Sequence, residues 1–460
     1  MSLPETTPKS ESFLRGVVQT LSDLGSSLAR TARVAMSSRD TRSLTDLCRA
    51  LLSERGESSG IAFACDGIAR YQALNAGERR QFFDALVRDF SPDPTLVKAS
   101  ATAYGDDTSQ RNLIALQRAV EAPHQELFRR FNMAPGGTAA LVEMRRELLT
   151  HLDANPELAG LDAGLSHLFV SWFNRGFLEL RRIDWNTPAA VLEKLIKYEA
   201  VHEMHGWEDL RRRLDRDRRC FAFFHPALPD EPLIFVEVAL VQGMSAAVQP
   251  LLAADNISDA RKANCAVFYS ITNCQDGLRG ISFGSFLIKQ VAAELGRELP
   301  RIKTFVTLSP LPGYRRWLEH ALTALEPGPR EAQWSEIPRL LKTPNWHQDP
   351  AIVAQLETPL TQLCAWYLLH AKRASNDSQL PLDPVARFHL SNGARLERIN
   401  WLADISPKGI RESAGLMVNY LYKLEDIERN HEAFAKGEPT VASRKVESLA
   451  MRAPLPMPET

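Results

Sequence analysis

The chain reads as an α plus α/β protein, with an all-helical N-terminal bundle domain over residues 1–203 and a mixed α/β domain over 204–460. Three observations predict this. Apolar residues recur at spacings of three and four from Phe13 to about Arg213, the period of amphipathic helices. Around Cys220 the texture changes to short β-branched and aromatic runs interrupted by helical patterns. A length of 460 residues also exceeds what one hydrophobic core ordinarily serves, so two or three units are expected.

In the first half, L-T-D-L-C-R-A-L-L, R-Q-F-F-D-A-L-V-R-D-F, A-L-V-E-M-R-R-E-L-L and A-V-L-E-K-L-I-K-Y each put an apolar stripe on one helix face. Such faces need one another for burial. Gly136-Gly137, Asn155-Pro156 and Thr187-Pro188 punctuate them, which suits a bundle with short connections, and no fixed-period repeat suggests a solenoid. The Arg-dense link R-R-R-L-D-R-D-R-R (Arg211 to Arg219) carries interspersed aspartates and is expected to be a solvated helix face. Beyond it, C-F-A-F-F-H, P-L-I-F-V-E-V-A-L-V, C-A-V-F-Y-S-I-T and K-T-F-V-T-L-S predict strands. Ser285 to Leu295 and Ala351 to Ala371 predict helices, and strand signals return at F-H-L, L-E-R-I-N-W and L-M-V-N-Y-L-Y.

Lys and Arg number 55 against 56 Asp and Glu, a formal net charge of −1, so no long-range field favours nucleic acid or an anionic membrane. The expected partner is a small molecule or a second copy. Six cysteines without C-x-x-C spacing imply neither a zinc knuckle nor a disulfide framework, which fits a reducing compartment. No apolar run has the length to span a bilayer. Ser12 to Arg42 is rich in Ser and Arg, as a transit peptide would be, but Glu11, Asp23 and Asp40 favour an ordinary helix. A cytoplasmic protein is the expectation.

Several residues could carry chemistry. Ser309, in T-F-V-T-L-S-P-L-P-G-Y, sits where a strand ends in a turn stiffened by Pro310 and Pro312, so its hydroxyl is held rigidly, as a plain turn serine's would also be. Gly280-Ile281-Ser282-Phe283-Gly284 matches the G-x-S-x-G nucleophile elbow, and Ser282 with Asp383 or Asp404 and His389 would complete a triad. The elbow needs a strand running straight into the serine, whereas A-V-F-Y-S-I-T ends earlier, in a polar loop. Arg279, Gly280, Gly284 and Ser285 also read as a glycine-bearing loop before a helix, suited to a pyrophosphate, with a simple strand-to-helix turn as the other reading. His202 and His205 lack H-E-x-x-H spacing and a third ligand, so no metal site is expected. His389 lies in V-A-R-F-H-L-S-N-G-A, read as a strand, a turn at Asn392-Gly393 and a second strand, which would partly bury the imidazole.

Longer stretches resemble one family. F-F-H-P-A-L-P-D-E-P-L-I-F-V-E-V-A-L (Phe223 to Leu240), F-Y-S-I-T-N-C-Q-D-G-L-R-G-I-S-F-G-S-F-L-I-K-Q-V (Phe268 to Val291), T-L-S-P-L-P-G-Y (Thr307 to Tyr314) and F-H-L-S-N-G-A-R-L-E-R-I-N-W-L-A-D (Phe388 to Asp404) resemble malonyl-CoA decarboxylase. W-F-N-R-G-F-L-E-L-R-R-I-D-W (Trp172 to Trp185) is similar to the same family's helical N-terminal domain, so the likeness covers nearly the whole chain.

The resemblance implies a helical domain used in assembly of a homo-oligomer, a dimer or tetramer, and a catalytic domain of the GNAT-type acyltransferase fold that binds coenzyme A. It implies a pyrophosphate loop at Arg279, Gly280, Ile281, Ser282, Phe283, Gly284 and Ser285, with Ser282 standing where the loop's usual form has its first glycine. The serine of L-S-P-x-P-G, here Ser309, and the histidine of F-H-L-x-N-G, here His389, are the implied catalytic pair, and Tyr422 matches a tyrosine near the acyl group.

The implied reaction converts malonyl-CoA to acetyl-CoA and CO2. Its substrate carries a carboxylate β to a thioester carbonyl, which takes up the electrons as an enolate, so no cofactor is expected beyond the coenzyme A in the substrate itself. A CoA-dependent N-acyltransferase of the same fold, or a serine hydrolase using Ser282, are the alternatives.

Overall fold

The computed structural model describes residues 43–281, 283, 287–323, 334–373 and 380–455. The chain divides into two compact units. One comprises residues up to Phe177 with Pro226–Pro229 and Gln275–Phe283, and the other the remainder from Leu178.

The first unit is helical. Its helices start where the local chemistry supplies caps: Ser43 accepts from the Asp46 N–H at the head of Leu44–Ser53, Asn75 and Glu78 form a reciprocal capping box on Ala76–Asp89, and Asp93 precedes Pro94 at the start of Pro94–Asp106. Leu51, Phe83, Leu86, Leu127, Phe128 and Phe169 form part of its buried core. Two helices contribute almost nothing to that core: Pro94–Asp106 buries no residue and Gln110–Val120 buries only Ala119.

The second unit is built on a seven-stranded mixed sheet ordered β1-β2-β3-β4-β5-β7-β6. The strands are β1 (Glu179–Ile183), β2 (Arg218–Phe224), β3 (Ile234–Val241), β4 (Cys265–Asn273), β5 (Thr304–Thr307), β6 (Arg395–Asn400) and β7 (Met417–Leu421). Only β4 and β5 run parallel. Their pairing lasts from Cys265↔Thr304 to Phe268↔Thr307, with one further bond from the Leu308 N–H to the Phe268 carbonyl at 2.9 Å. After that β4 continues along β3 to Asn273, while Ser309 turns to Val418 of β7. The two strands therefore part, and a cleft opens between them.

Three expectations are corrected here. Within the stretch read as helical throughout, Glu179–Ile183 is a strand: β1 pairs antiparallel with β2 from Glu179↔Phe224 to Ile183↔Cys220, and the compact sheet unit takes in the chain from Leu178. Val191, Leu192 and Leu195 of the helix Ala189–Tyr198 then pack on Ile183, Cys220 and Phe235, within the sheet unit.

The Arg211 to Arg219 run is solvated only in part: Arg211 and Arg216 are exposed, whereas Arg212, Arg213 and Arg218 are buried. Arg212 donates to both Asp217 carboxylate oxygens (2.8 and 3.3 Å) and to the Ala253 and Asn256 carbonyls, Arg213 lies 3.5 Å from Glu237, and Arg218 reaches the Leu251 carbonyl. All of these side chains are buried; Asp217 and backbone carbonyls meet the charges of Arg212 and Arg218, while burial pushes the Glu237 carboxyl beside Arg213 up to about 8.

V-A-R-F-H-L-S is a helix, Pro384–Ser391, rather than a strand. Asp383 caps it by accepting from the Ala386 N–H at 2.8 Å, Pro384 occupies its first turn, and Gly393 closes it at φ +80°. Asn-Gly suits either geometry in sequence, because both a hairpin turn and a helix end call for a glycine at positive φ.

Candidate active site

Local sequence sets up the hydroxyl. Thr307 and Ser309 are two residues apart, so they face the same side where β5 ends. Two backbone bonds hold Ser309 to Val418, N–H to carbonyl at 2.8 Å and carbonyl to N–H at 2.9 Å. Its Oγ donates to Thr307 Oγ1 at 2.8 Å and lies 2.9 Å from His389 Nε2. The other imidazole nitrogen, Nδ1, lies 2.9 Å from Tyr422 Oη. Tyr420, two residues before Tyr422 in β7, stacks on the imidazole with ring centroids 4.6 Å apart.

Ser309, His389 and Tyr422 are thus one hydrogen-bonded row, 5, 3 and 1 % exposed. Burial pushes His389 down to about 3, so near neutrality the imidazole is uncharged, with one nitrogen donating and the other accepting. Burial also pushes the Tyr422 hydroxyl well above its ordinary range. Among the described residues, no carboxylate bonds to either imidazole nitrogen in this row.

A pocket of ≈ 220 Å³ opens onto Ser309 and His389, at the place where β4 and β5 part. Phe268, Ile271, Leu308, Pro310, Val385 and Phe388 give it mostly apolar walls. An acyl group entering it would meet the serine and the histidine with little surrounding water.

The described partners considered for a Ser282 triad are engaged elsewhere. Asp383 is spent on capping its helix and accepting from Tyr367 Oη at 3.3 Å, Asp404 accepts from the Ser406 N–H and Gln249, and His389 Nδ1 is taken by Tyr422. Ser282, Gly284 and Ser285 lie outside the described residues.

The described part of the loop belongs to the helical unit. There Arg145 donates to the Gly277 and Arg279 carbonyls at 2.8 and 2.9 Å while its Nε holds Asp162. Arg279 and Gly280 are exposed, Gly280 has φ +81°, and Ile281 and Phe283 are buried. Anchored carbonyls below and an exposed cation with a glycine above make a surface an anion can approach. Among the described residues, no cluster of three or more His, Cys, Asp or Glu side chains could hold a metal ion.

Two members of the site were not singled out from the sequence, Thr307 and Tyr420. The signal available was the period of two: each stands two residues from a residue that was chosen, on the same strand face.

Comparison with known proteins bears on this geometry. A model of the malonyl-CoA decarboxylase C-terminal domain matches residues 176–457, and one of the N-terminal domain of the same family matches 90–173. The mitochondrial malonyl-CoA decarboxylase of the goose Anser anser anser is 38% identical over 410 residues, which is 82% of this chain and 81% of the relative. That of Rattus norvegicus is 36% identical over 432 residues, covering 86% and 87%. Among crystal structures, malonyl-CoA decarboxylase from Rhodopseudomonas palustris is 51% identical with a TM-score of 0.84, covering 88% of this chain and 98% of that one. The Agrobacterium vitis enzyme is 50% identical with a TM-score of 0.81, covering 88% and 99%.

Proposed function

The chain belongs to the malonyl-CoA decarboxylase family, and we propose that its buried row of Ser309, His389 and Tyr422 carries the conversion of malonyl-CoA to acetyl-CoA and CO2. The observation that carries the reading is the 2.9 Å contact of Ser309 Oγ with His389 Nε2 at an apolar pocket of acyl-group size.

The bond between the carboxyl carbon and the α-carbon breaks, and its electron pair moves into the thioester as an enolate while CO2 departs. The α-carbon then takes one proton. Apolar walls strip water from a carboxylate that is about to become uncharged CO2, which favours the loss. The Ser309 hydroxyl, with the His389 N–H behind it, stands where the enolate forms, and once substrate is bound its proton can turn from Thr307 and pass to the α-carbon as His389 replaces it. A neutral imidazole suits such a relay because it can gain a proton on one nitrogen while giving one up from the other.

The same geometry disfavours a nucleophilic serine. In acyl-transferring triads a carboxylate steadies the imidazolium that forms; here a tyrosine hydroxyl occupies that place, and the imidazole is a weak base. Product analysis is the test. Acetyl-CoA and CO2 appearing in equal amounts without an acceptor amine supports the reading, whereas free coenzyme A or a need for an amine overturns it.

For the rest of the substrate we assign the pyrophosphate to the loop Arg279 to Ser285, supported by the exposed Arg279 and the positive φ of Gly280. The chemistry requires no cofactor, since the thioester accepts the electrons. We also assign the helical unit to homo-oligomer assembly, supported by the almost coreless helices Pro94–Asp106 and Gln110–Val120, whose Leu96, Ile114 and Val120 are exposed. A cytoplasmic location is supported by six free thiols.

A further inference from the structure

We propose that Thr307 is a positioning residue that fixes the direction of the Ser309–His389 hydrogen bond; this rests on the site reading given above. Ser309 Oγ has a single hydrogen, and it is donated to Thr307 Oγ1 at 2.8 Å. The 2.9 Å contact with His389 is then completed from the other side, with Nε2–H donating into a Ser309 lone pair. Nδ1 is left as the acceptor and takes the Tyr422 hydroxyl hydrogen at 2.9 Å. The row accordingly runs one way, from Tyr422 through His389 and Ser309 to Thr307.

Thr307 is itself held by the main chain of β7. The Tyr420 N–H donates to Thr307 Oγ1 at 3.1 Å, and the Asn419 side-chain amide donates to the Thr307 carbonyl at 2.6 Å. Asn419 is steadied in turn by Arg398 and Asn400, both of which donate to its Oδ1. Thr307 and Asn419 are fully buried, so water does not compete for these bonds. Tyr420 joins the two ends of the device: its amide holds Thr307, and its ring stacks on His389.

The consequence is a defined resting state. With its hydrogen on Thr307, Ser309 does not donate to His389, and the imidazole rests as the Nε2–H tautomer, ready to pass that proton forward when Ser309 gives up its own. Without the Thr307 acceptor the serine hydrogen is free to turn to Nε2, which forces the opposite tautomer and stops the forward relay.

The test compares T307V, which keeps the branched shape and loses the hydroxyl, with T307S, which keeps the hydroxyl. T307V should lower kcat on malonyl-CoA roughly 10- to 100-fold with KM changed less than about twofold, and T307S should restore most of kcat. Nitrogen NMR of His389, identified by its absence from H389N, should report an Nε2–H imidazole in the wild type and in T307S, and Nδ1–H in T307V.

Should T307V not fold, T307C takes its place, because it differs from T307S by one atom and sulfur is a poor acceptor. Wild-type kcat in the folded T307V or T307C protein overturns the proposal, as does a T307S variant that fails equally or an Nδ1–H wild type. S309A and H389A are assayed alongside. If they also keep wild-type kcat, the site reading itself has failed; if they lose it while T307V does not, only the role of Thr307 has.

Discussion

Replacing Ser309 by alanine removes one oxygen that touches both Thr307 Oγ1 and His389 Nε2 and leaves the apolar pocket otherwise intact. Delivery of a proton by a placed group is worth about 10²- to 10⁴-fold, so kcat should fall by that factor, a barrier increase of roughly 2.7–5.4 kcal/mol. KM should move little, because coenzyme A supplies most of the substrate's binding surface and Ser309 faces only the acyl end. The substitution also leaves a buried imidazole nitrogen one partner short, at a stability cost of about 1–3 kcal/mol. Activity and folding must therefore be read separately. The assay is CO2 release under saturating malonyl-CoA, with circular dichroism to establish the folded fraction. A folded Ser309→Ala protein with kcat within about twofold of wild type, or with only KM altered, would refute the reasoning, since a residue that handles the α-carbon proton cannot be dispensable.

Four further outcomes are expected. Because burial holds His389 near 3, its charge does not change between pH 5.5 and 7.5, so kcat should show no histidine inflection near 6.5; one that disappears in His389→Asn would contradict the neutral imidazole. Tyr422→Phe removes the partner of Nδ1 without emptying the space, and kcat should drop roughly 10-fold, measurable in the same assay. Arg279→Ala should raise KM for malonyl-CoA several-fold at nearly unchanged kcat, on the order of one solvent-screened charge contact of up to about 1 kcal/mol, checked by steady-state kinetics. Leu96→Glu with Ile114→Glu places charges on the exposed apolar hairpin and should shift the mass measured by light scattering towards the monomer.

Much of this was written locally and could be read from the sequence. Apolar spacing of three and four announced the bundle, and aromatic and β-branched runs marked β2 to β7 because each reflects the preferences of adjacent residues. The rigidity of Ser309 followed from its prolines. Sequence resemblance identified His389 and Tyr422, but spacing alone could not have paired them with Ser309. His389 lies 80 residues beyond Ser309 and 33 before Tyr422, so what joins them is the docking of the helix Pro384–Ser391 over the end of β5 and β7.

Where one local signal served two geometries, only packing chose between them. Asn392-Gly393 ends a helix because Asp383 and Pro384 start one eight residues earlier, and that helix turns the His389 imidazole into the buried row. The arginines at 212, 213 and 218 are buried because β2 and β3 bring Asp217 and Glu237 to them, which composition cannot reveal. By itself, the sequence determined the helical texture of the first half, the strands β2 to β7, and that a hydroxyl would stand rigid at residue 309. The tertiary structure decided what that hydroxyl touches, because hydrogen-bond partners across 80 residues are set by the meeting of surfaces, and periodicity along the chain carries no record of that meeting.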